Sequence, residues 1–181
     1  MTYDPYKFDS MQGKLSVSER VDLYDTVVKT NRMSCLEIGT WKGGGSTYAI
    51  ACGCKEAHGH LTTVESDWDF HFEAICRLQP EGLMPEFVKP VYGIAQEVVP
   101  GLQGAWWMEW DFVFFDGAED SRQTEELYNL VYPKLANGAI VAFHDWDVYK
   151  CEDVRGRFDI KDRLCYNQAT TGLAMFRTPN G

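Results

Sequence analysis

Leu36-Glu37-Ile38-Gly39-Thr40-Trp41-Lys42-Gly43-Gly44-Gly45-Ser46-Thr47 joins an apolar run to the start of a helix through a glycine-rich turn. Such a strand-to-helix turn opens a βα unit, and its glycines let backbone pass close to a ligand. Two common cofactor classes do not fit it. Counting from Gly39, the second glycine of G-x-G-x-x-G falls on Trp41, and an indole where a pyrophosphate must approach argues against a nicotinamide or flavin dinucleotide. The phosphate-loop pattern G-x-x-x-x-G-K-[ST] does not occur either.

Outward from this turn, helical periodicity alternates with continuous apolar runs, the pattern of an α/β domain. Residues 1–15 show no pattern and are expected to form an arm. Ser16-Val17-Ser18-Glu19 is a capping box, followed by Val17, Val21, Tyr24 and Val28 at helical spacing, so a helix is expected to about Asn31. Strands are expected over 33–38, 60–65, 86–91 and 111–116, with a fifth opened by Gly138. Between them, helices are expected from Ser46 to about Cys52, over 68–78 and 95–102, and from Ser121 to Lys134. Residues 150–160 read as helical, and Arg163–Gln168 with Gly172–Arg177 as a closing pair of strands around a tight turn at 169–171.

Acidic and metal-capable side chains stand just past the apolar runs that read as strands: Glu37, Glu65, Asp116 and the pair His144-Asp145. In a parallel sheet the carboxyl ends of the strands converge on one crevice, where open α/β sheets bind ligands. An acidic crevice favours a cationic cofactor, a divalent metal, or a substrate with hydroxyl or amino groups to deprotonate.

The 181 residues suffice for a single domain with one core. A net charge of −10, from 17 basic and 27 acidic residues, argues against nucleic acid as partner. No apolar stretch approaches the roughly 18 residues of a membrane span, and Met1-Thr2-Tyr3-Asp4-Pro5 lacks the start of a signal peptide, so a cytoplasmic location is expected. Six cysteines without framework spacing read as free thiols. Cys52-Gly53-Cys54 and His58-Gly59-His60 lie closer together than zinc-finger ligands do, and loop composition is the preferred reading.

With these residues in place, the chain resembles the class I S-adenosylmethionine-dependent methyltransferases. Glu37, Gly39 and Gly43 match their motif I, E/D-x-G-x-x-x-G, and Thr63-Val64-Glu65 is similar to the second motif, whose acid accepts both ribose hydroxyls. Gly93-Ile94-Ala95-Gln96 resembles the adenine-bordering loop of catechol-type O-methyltransferases. Phe114-Phe115-Asp116-Gly117 resembles the strand-four motif, and Leu130-Val131-Tyr132-Pro133-Lys134-Leu135 with His144-Asp145-Trp146 resembles macrocin-type sugar O-methyltransferases. The resemblance covers residues 33–177. It implies a Rossmann-like doubly wound sheet of seven strands in the order 3-2-1-4-5-7-6, the last antiparallel. It also implies S-adenosyl-L-methionine bound by Glu37, Gly39, Thr40, Trp41, Gly43, Gly45, Glu65, Ser66, Trp68, Ile94, Ala95, Gln96 and Asp116.

The expected reaction is O-methylation of a small hydroxylated molecule, an in-line displacement that needs two aligned reactants and a deprotonated nucleophile. Asp116, His144 and Asp145 are the expected catalytic group. A divalent ion on Asp116 and Asp145, with His144 as third ligand or general base, would lower the acceptor pKa. Oxygen ligands suit Mg²⁺ and the imidazole suits Mn²⁺, while a metal-free route in which His144 takes the proton stays open. The pattern departs from metal-dependent relatives, because Gly117 and Ala118 follow Asp116 where a further acid, lysine or histidine is usual, with Glu119 and Asp120 only after them. Without a long N-terminal lid, acceptor binding falls to residues 1–15, to 146–160 or to a second subunit, so a homodimer is an option. A cofactor-binding protein without turnover and a dehydrogenase on the same fold are the alternatives.

Overall fold

The computed structural model describes residues 3–8, 15–104 and 109–179. Residues 1, 2 and 9–14 of the expected arm lie outside the described residues. Seven strands form one sheet in the order β3-β2-β1-β4-β5-β7-β6, as the resemblance implied. They are β1 (Ser34–Ile38), β2 (His60–Glu65), β3 (Val88–Tyr92), β4 (Trp110–Phe115), β5 (Leu135–Phe143), β6 (Arg163–Asn167) and β7 (Leu173–Arg177). The first five are parallel, while β7 runs antiparallel to both β5 and β6. The switch point lies between β1, which pairs with β2, and β4, where strand order reverses and a ligand crevice opens.

β1 is buried along its whole length, and its start is fixed by Asp111 at the head of β4, whose carboxylate accepts from Met33 N at 2.9 Å and Ser34 N at 3.0 Å. Two apolar layers sandwich the sheet. Phe112, Phe114 and Ile140 face one and Val113, Phe115, Val141 and Phe143 the other, the period-two alternation of strands. Each fully buried large side chain contributes about 1.5–3 kcal/mol.

The helices are α1 (Val17–Lys29), α2 (Ser46–Glu56), α3 (Trp68–Leu78), α4 (Ala95–Val98), α5 (Ser121–Val131) and α6 (Glu152–Arg155). The capping box forms in full, with Ser16 Oγ accepting from Glu19 N at 3.2 Å and Glu19 Oε2 accepting from Ser16 N at 2.8 Å. α2 extends beyond the expected Cys52 because Cys-Gly-Cys is helix interior. Cys54 is buried, and a Cβ on Gly53 would lie 2.9 Å from Val27 Cβ, so the glycine lets α1 and α2 approach closely. Two expected helices end early at prolines. α4 gives way to a 3-10 turn holding Pro100, and α5 to one holding Pro133, because a proline ring and its missing N–H do not continue an α-helix.

β5 starts three residues before Gly138, which has a left-handed φ of +67°. The β4–β5 register shifts there, so the glycine marks an irregularity within the strand instead of its start. The expected helix over 150–160 is reduced to a 3-10 turn, Tyr149–Cys151, and the single turn of α6. The arm packs across α1 and α2: Tyr3 stacks on Tyr24 at 4.3 Å, Phe8 meets Tyr48 edge-on at 4.9 Å, and Lys7 pairs with Glu81. Among the described residues no helix is long and apolar enough to cross a membrane.

Candidate active site

A cleft of about 1020 Å³ opens over the carboxyl ends of β1, β2 and β4. That is room for a nucleoside-sized cofactor and a second small molecule. Of the residues expected to bind cofactor, Gly39, Thr40, Trp41 and Gly45 line it from the first turn, Glu65 and Ser66 from the second, and Ile94, Ala95 and Gln96 from the cap and first turn of α4. Asp116 and Asp145 line it from β4 and β5.

Four expected residues do not line the cleft. Glu37 is wholly buried beneath the turn, and Gly43 packs on α3, where its Cβ would meet Ala74 Cβ at 2.8 Å. Trp68 starts α3 with its indole turned outward, 57% exposed and edge-on to Tyr92 at 5.2 Å. His144 lies behind the acids with a fully buried side chain.

The glycines divide by what surrounds them. At Gly39, with φ +101°, a Cβ would lie 2.6 Å from Gly117 N, so the turns after β1 and β4 pack backbone on backbone. At Gly45, which begins α2, a Cβ would meet nothing within 4 Å and would project into free space. The cradle for a ligand is therefore at Gly45. Trp41 takes a left-handed φ of +46°, which aims its amide at Glu65 Oε2, 2.6 Å away, while Asp67 N donates to Oε1 at 2.9 Å. Glu65 is thus oriented through both oxygens, each of which keeps a lone pair for a ligand hydroxyl.

Beneath the turn, Glu37 Oε2 accepts from Thr63 Oγ1 at 2.7 Å, and Oε1 makes no well-formed hydrogen bond. Burial pushes this carboxyl up to about 7 against the hydroxyls of Ser46, Thr63 and Thr47. A buried acid with a free oxygen under a ligand cradle suits a positively charged ligand above it.

At the other end of the cleft, His144 Nδ1 lies 3.1 Å from Asp116 Oδ1 and 3.7 Å from Asp145 Oδ1. Its Nε2 meets Thr170 Oγ1 at 3.2 Å, and Thr170 in turn donates to the buried Glu19 at 2.7 Å. A hydroxyl carries one proton; given to Glu19, it leaves His144 Nε2 as the donor to Thr170. Burial lowers the His144 pKa, but the hydrogen bond and charge of Asp116 and the charge of Asp145 outweigh it and leave it raised. His144 thus backs Asp116 and lines a small recess beside the cleft, not the cleft itself. Burial raises Asp116 despite the pull of His144, which suits a proton acceptor.

Asp145, at φ +58°, accepts from Thr171 and pairs with Lys150 Nζ at 2.9 Å. Burial would raise its pKa; the Thr171 and Lys150 contacts and the His144 charge lower it instead. The ligand atoms of Asp116, His144 and Asp145 lie within 4.8 Å of one another, near enough for one ion. In this arrangement Lys150 and Thr171 also engage the Asp145 carboxylate, and His144 Nδ1 faces both acids. Sequence reading missed Lys150, Gln123 and Arg20 among the lining residues. Only Lys150 carried a signal, as a base five residues after Asp145 in a segment expected to meet the acceptor. Of the acids after Asp116, Glu119 lines the cleft, whereas Asp120 caps α5 by accepting from Gln123 N at 2.8 Å.

The sheet order, the glycine turn and the acids at the strand ends define a class I methyltransferase. A family model described as methyltransferase domain matches residues 36–146, and the chain belongs to that family. No curated protein matches the sequence. Among solved structures, the chain is similar to the O-methyltransferase TomG of Streptomyces achromogenes, in complex with SAM. The TM-score is 0.76 at 18% identity, over 97% of this chain and 86% of that one. An O-methyltransferase from Bacillus cereus in complex with SAH gives a TM-score of 0.75 at 16% identity, over 94% and 85%. SAH-bound PaMTH1 of Podospora anserina gives 0.72 at 17%, over 95% and 81%.

Proposed function

We propose that the protein methylates an oxygen of a small hydroxylated molecule with S-adenosyl-L-methionine as donor. The observation that carries this is the pairing of a doubly oriented carboxylate, Glu65, with free space at Gly45 above the unpartnered Glu37 oxygen. Glu65 suits a ribose diol, and the acid below suits a cationic amino-acid group. Bound there, S-adenosylmethionine supplies a methyl group made electrophilic by its sulfonium.

Asp116 receives the acceptor proton on Oδ2, since His144 engages Oδ1. The acceptor oxygen gains the bond to methyl as the carbon–sulfur pair stays with the departing sulfur. Trp41, Phe70 and Leu127 line the cleft and give the reacting atoms an apolar wall. A protein of net charge −10 is a poor match for polyanionic acceptors, and six free thiols suit the cytoplasm.

The test is calorimetric titration with S-adenosylmethionine, followed by transfer of radiolabelled methyl to a panel of phenolic and sugar hydroxyls. Micromolar binding and label in an acceptor are expected. No binding removes the cofactor, and binding without label in any acceptor removes the enzyme.

A further inference from the structure

The acidic end of the cleft contains a cation of its own. Lys150 comes from the 3-10 turn that follows β5, and its side chain is 22% exposed with Nζ 2.9 Å from Asp145 Oδ2. It lines the large cleft with Asp116, Asp145 and Gln123, and with Asp116, His144 and Asp145 it lines a small recess beside it. Its ammonium is paired with the Asp145 carboxylate, the most buried acid it meets in the cleft. Thr171 and Lys150 together engage both oxygens of the Asp145 carboxylate, Thr171 on Oδ1 and Lys150 on Oδ2.

A divalent ion would need Asp145, and to take it would have to displace this ammonium. We propose that Lys150 takes the divalent-cation position of the cluster and holds the acceptor oxygen during transfer, in place of a metal. The inference deepens the methyl-transfer reading and rests on it. In the step itself the acceptor O–H gives its proton to Asp116, the oxygen–methyl bond forms and the carbon–sulfur bond breaks with its pair kept by sulfur. Lys150 keeps all its protons and faces the negative charge that develops on oxygen. A fixed ammonium favours acceptors whose oxygen ionises readily, phenols and enols before aliphatic alcohols.

Mn²⁺ binding to the chelator-treated full chain, followed by electron paramagnetic resonance, tests the assignment without any acceptor. The unaltered protein should bind no Mn²⁺ at submillimolar concentration. Lys150→Met and Lys150→Gln should each gain one site, lost again when Asp145→Asn is added. In turnover, activity should survive excess chelator, and Lys150→Met should lose kcat by about 10²-fold, the scale of one lost donor to a developing oxyanion. Cofactor affinity should not change, and Lys150→Arg should retain part of the rate. Stoichiometric Mn²⁺ on the unaltered protein, or no gained site in both variants, overturns the proposal. Failure of the methyl-transfer reading shows separately, as absence of S-adenosylmethionine binding by the unaltered protein.

Discussion

Gly39 and Gly117 hold the turns after β1 and β4 in backbone contact: a Cβ on Gly39 would stand 2.6 Å from Gly117 N and 2.8 Å from Gly117 Cα. Backbone cannot swing aside as a side-chain tip can, and φ +101° adds strain for any other residue. Gly39→Ala should therefore destabilise the fold by roughly 2–4 kcal/mol, from overpacking and left-handed strain together. Gly45→Ala should cost far less stability and weaken cofactor binding at least tenfold, since its methyl enters the cradle. Urea unfolding with calorimetry separates the two, and equal stability losses would refute the division of roles.

Glu65 already receives two amides, so its orientation is set before any ligand arrives. Glu65→Ala should weaken S-adenosylmethionine binding by one to two decades, about 1.4–2.8 kcal/mol. A nucleoside analogue lacking both ribose hydroxyls should bind the variant and the unaltered protein equally. If the variant discriminates between them as the unaltered protein does, the diol does not sit on Glu65.

Much of this was legible in the sequence because strand ends are local features. Continuous apolar runs located β1, β2 and β4 to within a residue or two. The acids after them emerge at the crevice at Glu65 and Asp116, whereas Glu37, one residue before the end of β1, stays buried beneath the turn. Helix ends were less legible where two signals compete. Cys52-Gly53-Cys54 has the composition of a loop, but packing against α1 keeps it helical. Trp68 was misplaced for a different reason: position in sequence beside Glu65 does not decide which side of α3 its indole takes. Glu19, Thr170 and Lys150 come from a helix cap, a tight turn and a 3-10 turn far apart in the chain, and only the folded sheet brings them to His144 and Asp145.

That long-range line from Glu19 through Thr170 to His144 makes a stability claim. Thr170→Val leaves His144 Nε2 without its acceptor and deprives buried Glu19 of a donor, at a cost of about 1–3 kcal/mol. Thr170→Ser keeps the hydroxyl and should recover most of it. In turnover, Thr170→Val should lower kcat while KM for the cofactor holds, because His144 steadies Asp116 and does not touch the cofactor cradle. A change confined to KM would break the link between this line and Asp116.

Glu37 makes the pH dependence of the apo protein predictable. Its carboxyl rises from 4.5 in the unfolded chain to about 7 in the fold, with burial as the chief cause. Between those values the folded protein holds a proton that the unfolded chain has released. Its stabilising effect is complete below about pH 4.5 and is lost as pH rises through about 7. The loss is on the order of 3 kcal/mol between the two limits. Glu37→Gln, which stays neutral at every pH, should flatten this slope and leave the apo protein more stable than the unaltered one above pH 7. A cationic ligand over the turn acts in the opposite sense, favouring the carboxylate, so S-adenosylmethionine binding near pH 6.5 should release a proton to the buffer. Calorimetry in two buffers of different ionisation enthalpy measures that release directly, and Glu37→Gln should abolish it. An unchanged proton count in the variant would show that the cation of the cofactor does not act on Glu37.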